Sequence, residues 1–317
     1  MERYNFKKSC IEAYNNISEY IIETPFQYSD SLSSISKSNV FLKLENFQYT
    51  GSFKLRGAMN KIINLLDKSK KIVAASSGNH GAAVAYTLKE FKMKGIVYVP
   101  DNAVSSKVNL MKKYGVEVRY SGNDSLIAEA SAIKYANENN ISFVSPYNDI
   151  DVISGQGTIA VEMINQVKNL DVVFVTVGGG GLISGIGGYI KSINPNIKVI
   201  GCSPINSPVM EKSIKNGKII DFESLPTLSE GSAGGIEKGS ITFDLCKNFI
   251  DDFYLISEDE IIEIIKYFIE NEKLLIEGAA AVAVAGLLNN HHLFHGMNIG
   301  IVICGGNIGS DTLKSIL

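Results

Sequence analysis

Four consecutive glycines at positions 178–181 constrain the fold of this 317-residue chain more than any other feature. They follow an apolar run at positions 172–177, which has the length of a buried strand. Because glycine has no Cβ, the backbone N–H groups of the run can turn inward. Such a concavity at the start of a helix binds a phosphate group. The run therefore predicts a strand, a phosphate-binding loop and a helix, in that order.

Two common phosphate loops fit the glycine run poorly. A dinucleotide-binding Gly-x-Gly-x-x-Gly motif that starts at Gly178 would need a third glycine where the chain has Ile183. A P-loop would need Gly-Lys-Ser or Gly-Lys-Thr, and the chain continues with Leu-Ile-Ser-Gly instead. The run thus favours another phosphate ligand.

Lys54 lies in the segment Gly-Ser-Phe-Lys-Leu-Arg-Gly at positions 51–57, where we expect a helix to start. Taken alone, such a lysine would be interpreted as a solvated surface charge. An amine forms a Schiff base with an aldehyde only when it is unprotonated. The macrodipole at a helix N-terminus disfavours an ammonium ion, so we expect a lowered pKa. A reactive lysine and a phosphate cradle together predict the aldehyde cofactor pyridoxal 5′-phosphate (PLP).

Composition and charge exclude several classes of protein. Hydrophobic residues make up 45% of the chain, so a substantial core can form. The net charge is -3 and no basic run occurs, so we expect no nucleic acid partner. The cysteines are far apart, which gives no zinc motif and suits a reducing cytoplasm. The polar N-terminus shows no signal peptide. The apolar stretch 274–288 is shorter than the ~20 residues that span a bilayer, so we expect a buried helix and no membrane partner.

Short β-rich runs alternate with helical patterns along most of the chain, which predicts an α/β fold. The predicted strands lie at positions 71–75, 95–99, 116–120, 141–144, 172–177, 199–203, 253–256 and 299–304. The predicted helices lie at positions 105–114, 124–139, 181–193, 258–272 and 277–288, with another from about 79. Apolar strands between helices imply parallel sheets covered on both faces. We expect a small domain at 70–147, a large domain formed by 1–69 and 148–317, and a ligand in the cleft between them.

Four further motifs occur in the same chain. They are Ser-Ser-Gly-Asn-His-Gly at 76–81, Ser-Gly-Gln-Gly-Thr at 154–158, Glu-Gly-Ser-Ala-Gly-Gly at 230–235 and Cys-Gly-Gly-Asn at 304–307. We expect the second to open a helix and the third to be a flexible loop. With the lysine and the glycine run, they resemble the two-domain fold type II PLP enzymes, which are tryptophan synthase β-like. Within that group the chain resembles the serine/threonine dehydratase and serine racemase family. The resemblance spans positions 24–307, and the motifs keep the family order.

The resemblance implies a role for each matching residue. Lys54 would form the Schiff base and remove the Cα proton of the substrate. The residues expected to bind the cofactor are Phe53, Lys54, Asn79, Gly178, Gly179, Gly180, Gly181, Leu182, Gly231 and Cys304. The residues expected to bind the substrate are Ser76, Ser77, Gly78, Asn79, His80 and Gln156. By its motif, His80 would lie in the loop before the helix.

Three of the motif residues have two interpretations each. Cys304 would face the pyridine nitrogen, where a thiol is a poor proton supplier, or would be only a small buried residue. Ser77 is either a second acid–base group opposite Lys54 or only a helix cap or carboxylate donor. Glu277 is expected to be an ordinary carboxylate at a helix N-terminus rather than a site residue.

We expect no divalent metal ion. In the serine racemases that the chain resembles, a glutamate and an aspartate bind such an ion. The resemblance implies that Ser203 and Val209 occupy those two positions in this chain. A hard divalent cation prefers oxygen ligands, and valine has none in its side chain. We also expect His291, His292 and His295 to be exposed rather than metal-binding.

The resemblance implies a PLP-dependent lyase, a serine/threonine ammonia-lyase, in the cytoplasm. It would act on the small-molecule substrates L-serine or L-threonine and release a 2-oxo acid and ammonia, and we expect a homodimer. The alternatives are a serine racemase and a dehydratase for 3-hydroxyaspartate. A catalytically silent amino-acid sensor is a different class, and the intact Lys54 argues against it.

Overall fold

The computed structural model describes residues 4–65 and 71–317. Its strands are β1 (Phe26–Tyr28), β2 (Asn39–Leu44), β3 (Ile72–Ala75), β4 (Gly95–Val99), β5 (Glu117–Tyr120), β6 (Ser142–Phe143), β7 (Val172–Thr176), β8 (Lys198–Pro204), β9 (Asp252–Ile256) and β10 (Asn298–Ile303). The helices are α1 (Phe6–Ile17), α2 (Asp30–Ser36), α3 (Lys54–Asn64), α4 (Asn79–Glu90), α5 (Ser105–Lys113), α6 (Ser125–Glu138), α7 (Ile150–Gln166), α8 (Gly181–Ile193), α9 (Val209–Asn216), α10 (Ile241–Phe249), α11 (Glu258–Tyr267), α12 (Gly278–Asn290) and α13 (Ser310–Ile316). Short 3₁₀ turns occur at Glu45–Phe47, Glu230–Ser232 and His291–Leu293.

The strands form two sheets. One has six strands in the order β1-β2-β10-β7-β8-β9, and the other has four in the order β5-β4-β3-β6. All neighbouring strands are parallel except β1, which pairs antiparallel with β2. The predicted α/β fold with parallel sheets is therefore confirmed. Strands β1 and β2 were not predicted, although β2 pairs with β10 along its whole length.

Alternating side chains place helices on both faces of the four-stranded sheet. In β3, Ile72 and Ala74 pack in the core that includes α4, whereas Val73 and Ala75 pack in the core that includes α6. This is the two-residue period of a strand that is buried on both sides. The first of these cores also contains Leu55, and thus includes α3. Helix α3 therefore contacts the helices that cover the smaller sheet.

Three predicted helix boundaries differ from the structure. The motif at 154–158 does not open a helix but lies inside α7, which starts earlier because the Asp149 carboxylate accepts the backbone N–H groups of Asp151 and Val152 at 2.8 and 3.2 Å. The helix predicted to begin at Glu277 begins one residue later, with Glu277 in its N-cap position. The pattern predicted as one helix at 258–272 is α11 followed by a π-helical turn, Phe268–Glu272.

The expected buried helix is present as α12. Its alanine-rich and valine-rich residues are buried against the six-stranded sheet from Gly278 to Leu287. In the described part of the chain, no helix is both long and apolar enough to cross a membrane. The four strands of the smaller sheet lie inside the segment predicted as the small domain. The domain boundary at 69/70 lies outside the described residues, and the division into domains stays a prediction.

A fully buried network of two cations and two anions fixes the start of α3. Arg56 donates to Glu45 at 2.7 Å and to Glu162 at 2.6 Å, and Lys43 donates to Glu162 at 2.5 Å. All four side chains have 0% exposure. Lys43 belongs to β2, Glu45 to the turn after it and Glu162 to α7, so the network joins α3 to three other segments.

We expect Arg56→Met to destabilise the fold strongly, because it leaves two buried carboxylates with Lys43 as their remaining cation. Breaking a buried ion pair costs about 3–5 kcal/mol. The control is Lys61→Met on the same helix, where the lysine is 19% exposed and contacts Asp149 at 2.7 Å and Asp151 at 3.0 Å. That variant should lose clearly less, because solvent reaches the two carboxylates that it leaves, which are 19% and 34% exposed. Urea unfolding measures both changes, and equal losses would contradict a special role for the network.

Candidate functional site

A cavity of about 450 Å³ lies where the carboxyl ends of strands from both sheets meet. Its wall includes residues that end or follow β3, β4 and β6 of the smaller sheet and β7 and β10 of the larger sheet. Ligands of parallel α/β sheets bind at this edge. All the predicted site residues except Gln156 line the cavity.

Lys54 is the first residue of α3, and its side chain lies in the cavity wall. The amine donates a hydrogen bond to the carbonyl oxygen of Pro146 at 3.0 Å and lies 5.2 Å from the centre of the Phe53 ring. Burial lowers the pKa of the amine to about 8, although the negative charge of Glu277 partly opposes the shift. The pKa is therefore lowered, as the sequence predicts, and burial is the main cause.

The glycine run presents free N–H groups to the cavity. The carbonyl oxygens of Gly179 and Gly180 accept hydrogen bonds from Thr242 Oγ1 at 2.7 Å and Cys246 Sγ at 3.8 Å. The N–H groups of residues 178–180 donate to no acceptor in the described part of the chain. Gly180 has a φ of 84°, in the left-handed region that favours glycine.

The glycine run also leaves no room for side chains. A Cβ on Gly179 would lie 2.6 Å from the ring of Tyr147, and one on Gly178 would lie 2.7 Å from Ser232. Free N–H groups at the N-terminus of α8 are suited to a phosphate dianion. Together with the half-buried amine of Lys54, these residues fit PLP.

The loop after β3 leads directly into the N-terminus of α4, at the cavity wall. The Ser76 hydroxyl accepts the N–H of Gly78 at 3.1 Å. His80 is the second residue of α4 rather than part of the loop, which corrects the sequence prediction. Its ring is buried, and Nε2 lies 2.9 Å from the carbonyl oxygen of Val144, where it donates. Burial, with the charge of Lys54, lowers the pKa of His80 to about 3, so the ring is neutral. The unpaired backbone N–H groups at this helix end are suited to a carboxylate.

Glu277 belongs to the cavity wall, contrary to the sequence prediction. Its two oxygens accept from the Asn79 amide at 2.9 and 3.0 Å, and one also accepts the N–H of Asn307 at 3.1 Å. The Asn307 amide in turn donates to Asn79 Oδ1 at 2.8 Å. Burial raises the pKa of Glu277, while the bonds from Asn79 and Asn307 favour its charged form. Glu277 and Asn307 therefore orient Asn79 from both ends of its amide.

Cys304 directly follows β10 and lines the cavity. It is buried, and its carbonyl oxygen accepts the N–H of Phe53 at 3.0 Å, which ties β10 to the start of α3. Burial raises the pKa of the Cys304 thiol well above its usual value, and the nearby charge of Glu277 raises it further. The thiol therefore stays neutral near pH 7.

Gln156 lies outside the cavity wall, so the structure does not support its expected contact with the substrate. Its side chain accepts the N–H of Gly57 at 3.2 Å and is buried between α7 and α3. Its place in the middle of α7, rather than at a helix start, explains the difference. By contrast, Phe53, Ser77, Leu182 and Gly231 all line the cavity.

Sequence reasoning missed several polar residues that line the cavity, among them Lys107, Glu129 and Tyr147. Tyr147 follows β6 closely, so its place at the carboxyl end of a parallel strand was the available signal. Burial, with the charge of Glu237, raises the pKa of Glu129 to about 7.

The two positions compared with the racemase metal site are buried. The Ser203 hydroxyl donates to the carbonyl oxygen of Val177 at 2.6 Å, and Val209 is 2% exposed. The rings of His291 and His295 lie 5.8 Å apart at the end of α12. The expectation that no divalent ion binds stays a prediction.

The profile of the family described as "Pyridoxal-phosphate dependent enzyme" matches residues 17–305. The chain belongs to this family. It is 39% identical over 309 residues to the L-threonine ammonia-lyase of Thermotoga maritima, which covers 96% of this chain and 76% of that one. It is 37% identical over 312 residues to the L-threonine dehydratase catabolic TdcB of Staphylococcus aureus, and the match covers 96% of this chain and 90% of that one. The crystal structure of the serine racemase from Dictyostelium discoideum superposes with a TM-score of 0.88 at 35% identity, over 95% of this chain and 98% of that one.

Gly180→Ala should weaken PLP binding at least tenfold, or about 1.4 kcal/mol. The added Cβ would lie 2.7 Å from Cys246 Sγ and would disfavour the left-handed backbone that aims the loop. The control is Gly217→Ala, because Gly217 has a φ of 72° and open space around its Cβ position. The control shares the backbone strain and should keep PLP affinity within about twofold. Absorbance titration with PLP measures both, and equal affinities would contradict the assigned phosphate cradle.

Proposed function

We propose that the protein is a PLP-dependent ammonia-lyase that converts L-threonine or L-serine into a 2-oxo acid and ammonia. The observation that carries the proposal is the half-buried Lys54 amine, whose pKa is lowered to about 8 and which shares one cavity with a free glycine cradle. Similarity to an L-threonine ammonia-lyase and an L-threonine dehydratase over 96% of the chain supports the reaction type.

The cofactor residues would be the glycine run for the phosphate, Lys54 for the aldehyde carbon, and Phe53, Leu182, Gly231 and Cys304 around the ring. When bound, PLP withdraws electrons from the Cα–H bond of an amino acid. Asn79, oriented by Glu277 and Asn307, would donate to the ring oxygen. The neutral thiol of Cys304 would leave the ring nitrogen without a strong proton donor.

The chain's residues divide the reaction between binding and proton transfer. Backbone N–H groups of positions 77, 79 and 80 would hold the substrate carboxylate at the N-terminus of α4. The Lys54 Nζ would remove the proton from the substrate Cα, and its lowered pKa leaves a useful fraction unprotonated near neutral pH. Loss of that proton and of the β-hydroxyl gives an enamine, which hydrolyses to the 2-oxo acid and ammonia.

Lys54→Ala should abolish covalent attachment of PLP and lower the rate of 2-oxo acid formation at least about 10³-fold, since it removes both the attachment point and the base. Lys61→Met, on the same helix, should keep the rate. The assay is 2-oxo acid release from L-serine, L-threonine and 3-hydroxyaspartate. PLP that borohydride still fixes to the Lys54→Ala chain would show that another lysine is the attachment point.

A serine racemase is the second candidate function. The similar fold of the Dictyostelium discoideum serine racemase and the place of Ser77 in the cavity wall favour it. The Ser77 hydroxyl has no hydrogen-bond partner within residues 4–65 and 71–317. It would therefore be free to serve as a proton donor on the face opposite Lys54, where the family resemblance implies that it lies.

Ser77→Ala separates the two functions. Elimination from an L-substrate needs one base, so pyruvate release from L-serine should fall no more than roughly tenfold, about 1.4 kcal/mol in barrier. D-serine formation and elimination from D-serine should fall much further, because both need a proton-transfer group opposite Lys54. Chiral analysis of residual serine and pyruvate assays measure the three activities. Equal losses would identify Ser77 as a binding residue, and intact D-serine formation would assign the proton to another group.

The molecular organisation is part of the same proposal. A small domain at 70–147 and a large domain at 1–69 and 148–317 are supported by the two separate sheets. A cytoplasmic location is supported by four unpaired, buried cysteines. The homodimer rests on the family resemblance, and light scattering of the purified protein would test it.

A further inference from the structure

The cavity wall carries more negative than positive side chains. Within the described residues, the lining carboxylates are Glu129, Glu230 and Glu277, and the lining lysines are Lys54 and Lys107. Lys54 is assigned to the cofactor and to proton transfer. Because like charges repel in such a confined space, a local cation in addition to helix N–H groups would strengthen the binding of an amino acid's carboxylate.

Lys107 lies in the first turn of α5 on the smaller-sheet side of the cavity. Its side chain is 32% exposed, and its Nζ lies 3.2 Å from Glu230 Oε2. Burial sets the raised pKa of Glu277, and Lys107 is the nearby cation that opposes this shift. Met111 of the same helix packs on the first turn of α4, where a Cβ on Gly81 would lie 2.8 Å from Met111 Sδ, so α5 lies on the side of the cavity where α4 begins.

The present partner of Lys107 is easily replaced. The Glu230 side chain is 71% exposed and lies in the 3₁₀ turn of the opposite wall. Solvent competes with an ion pair of this kind, and such pairs contribute little. A carboxylate held inside the cavity would be less hydrated and would compete well for the same ammonium group.

We infer that Lys107 is the counter-ion of the substrate's α-carboxylate and exchanges Glu230 for it on binding. This inference rests on the proposed function, because it takes an amino acid as the ligand. The cofactor phosphate is the other anion that could attract Lys107. Helix α5, which carries Lys107, packs on the start of α4, whereas the glycine run follows β7 of the larger sheet. The geometry therefore favours the carboxylate.

The test is an equilibrium titration of the holoenzyme with L-alanine, followed by cofactor absorbance. L-Alanine has no β-leaving group, so it reports binding whether or not the enzyme eliminates. Lys107→Met should raise the dissociation constant of L-alanine about tenfold or more. The same variant should change that of L-alaninol, which lacks the carboxylate, by less than about twofold. Glu230→Gln should lower the constant for L-alanine, because it removes the competing carboxylate.

Lys112→Met is the matched control. Lys112 is exposed on the same helix and points to the ring of Tyr120 at 5.7 Å, outside the cavity wall. It should leave both dissociation constants unchanged. A charge effect from anywhere on α5 would instead change both lysine variants alike, and would overturn the inference.

Three further results would overturn it. Unchanged L-alanine binding in Lys107→Met would remove the counter-ion role. Equal weakening in Lys107→Met and Glu230→Gln would show that the ion pair only orders the cavity entrance. Weaker PLP binding with unchanged L-alanine binding would assign Lys107 to the phosphate. Failure of the wild-type protein to release a 2-oxo acid from L-threonine would refute the proposed function separately.

Discussion

The buried ion network around Arg56 is the constraint on which the site depends. Two residues before Arg56, the chain places Lys54 at the first position of α3, and Arg56 ties this helix end to Glu45 and Glu162 with 0% exposure of all three side chains. Burial alone would raise the pKa of Glu45, but the charge and hydrogen bonds of Arg56 hold it below its usual value. The attraction offsets the desolvation cost only when Arg56 keeps these contacts, so the network holds the start of α3 in place. The Lys54 amine is thereby held against the carbonyl of Pro146 rather than in solvent.

Much of this arrangement was predictable because its determinants are local. The apolar run, the four glycines and the helix after them are contiguous, and the structure gives β7, a loop with a left-handed Gly180 and α8. The β3 and β4 strands were likewise predicted to within a residue, because both faces are buried and their sequences are continuously apolar. The order of the motifs then predicted that residues between positions 53 and 304 share one site, and these residues line one cavity.

The unpredicted parts depend on pairings between distant segments. Glu277 is an unremarkable helix N-cap in the sequence, and its role comes from Asn79, which lies 198 positions away. Gln156 has a plausible motif, yet the cap at Asp149 starts α7 earlier and leaves Gln156 packed against Gly57. The lowered pKa of Lys54 was expected from the helix end, and the structure adds burial as its main cause. Burial of this kind needs the packed structure and cannot be read from a motif.

The pH dependence of PLP attachment to the cofactor-free protein tests the central claim, which is that burial makes Lys54 an amine that is reactive near neutral pH. Only the unprotonated amine attacks an aldehyde, so the attachment rate should rise with pH and level off above the pKa. The account predicts a midpoint at about 8. A midpoint near the ordinary lysine value of about 10.4 would contradict it.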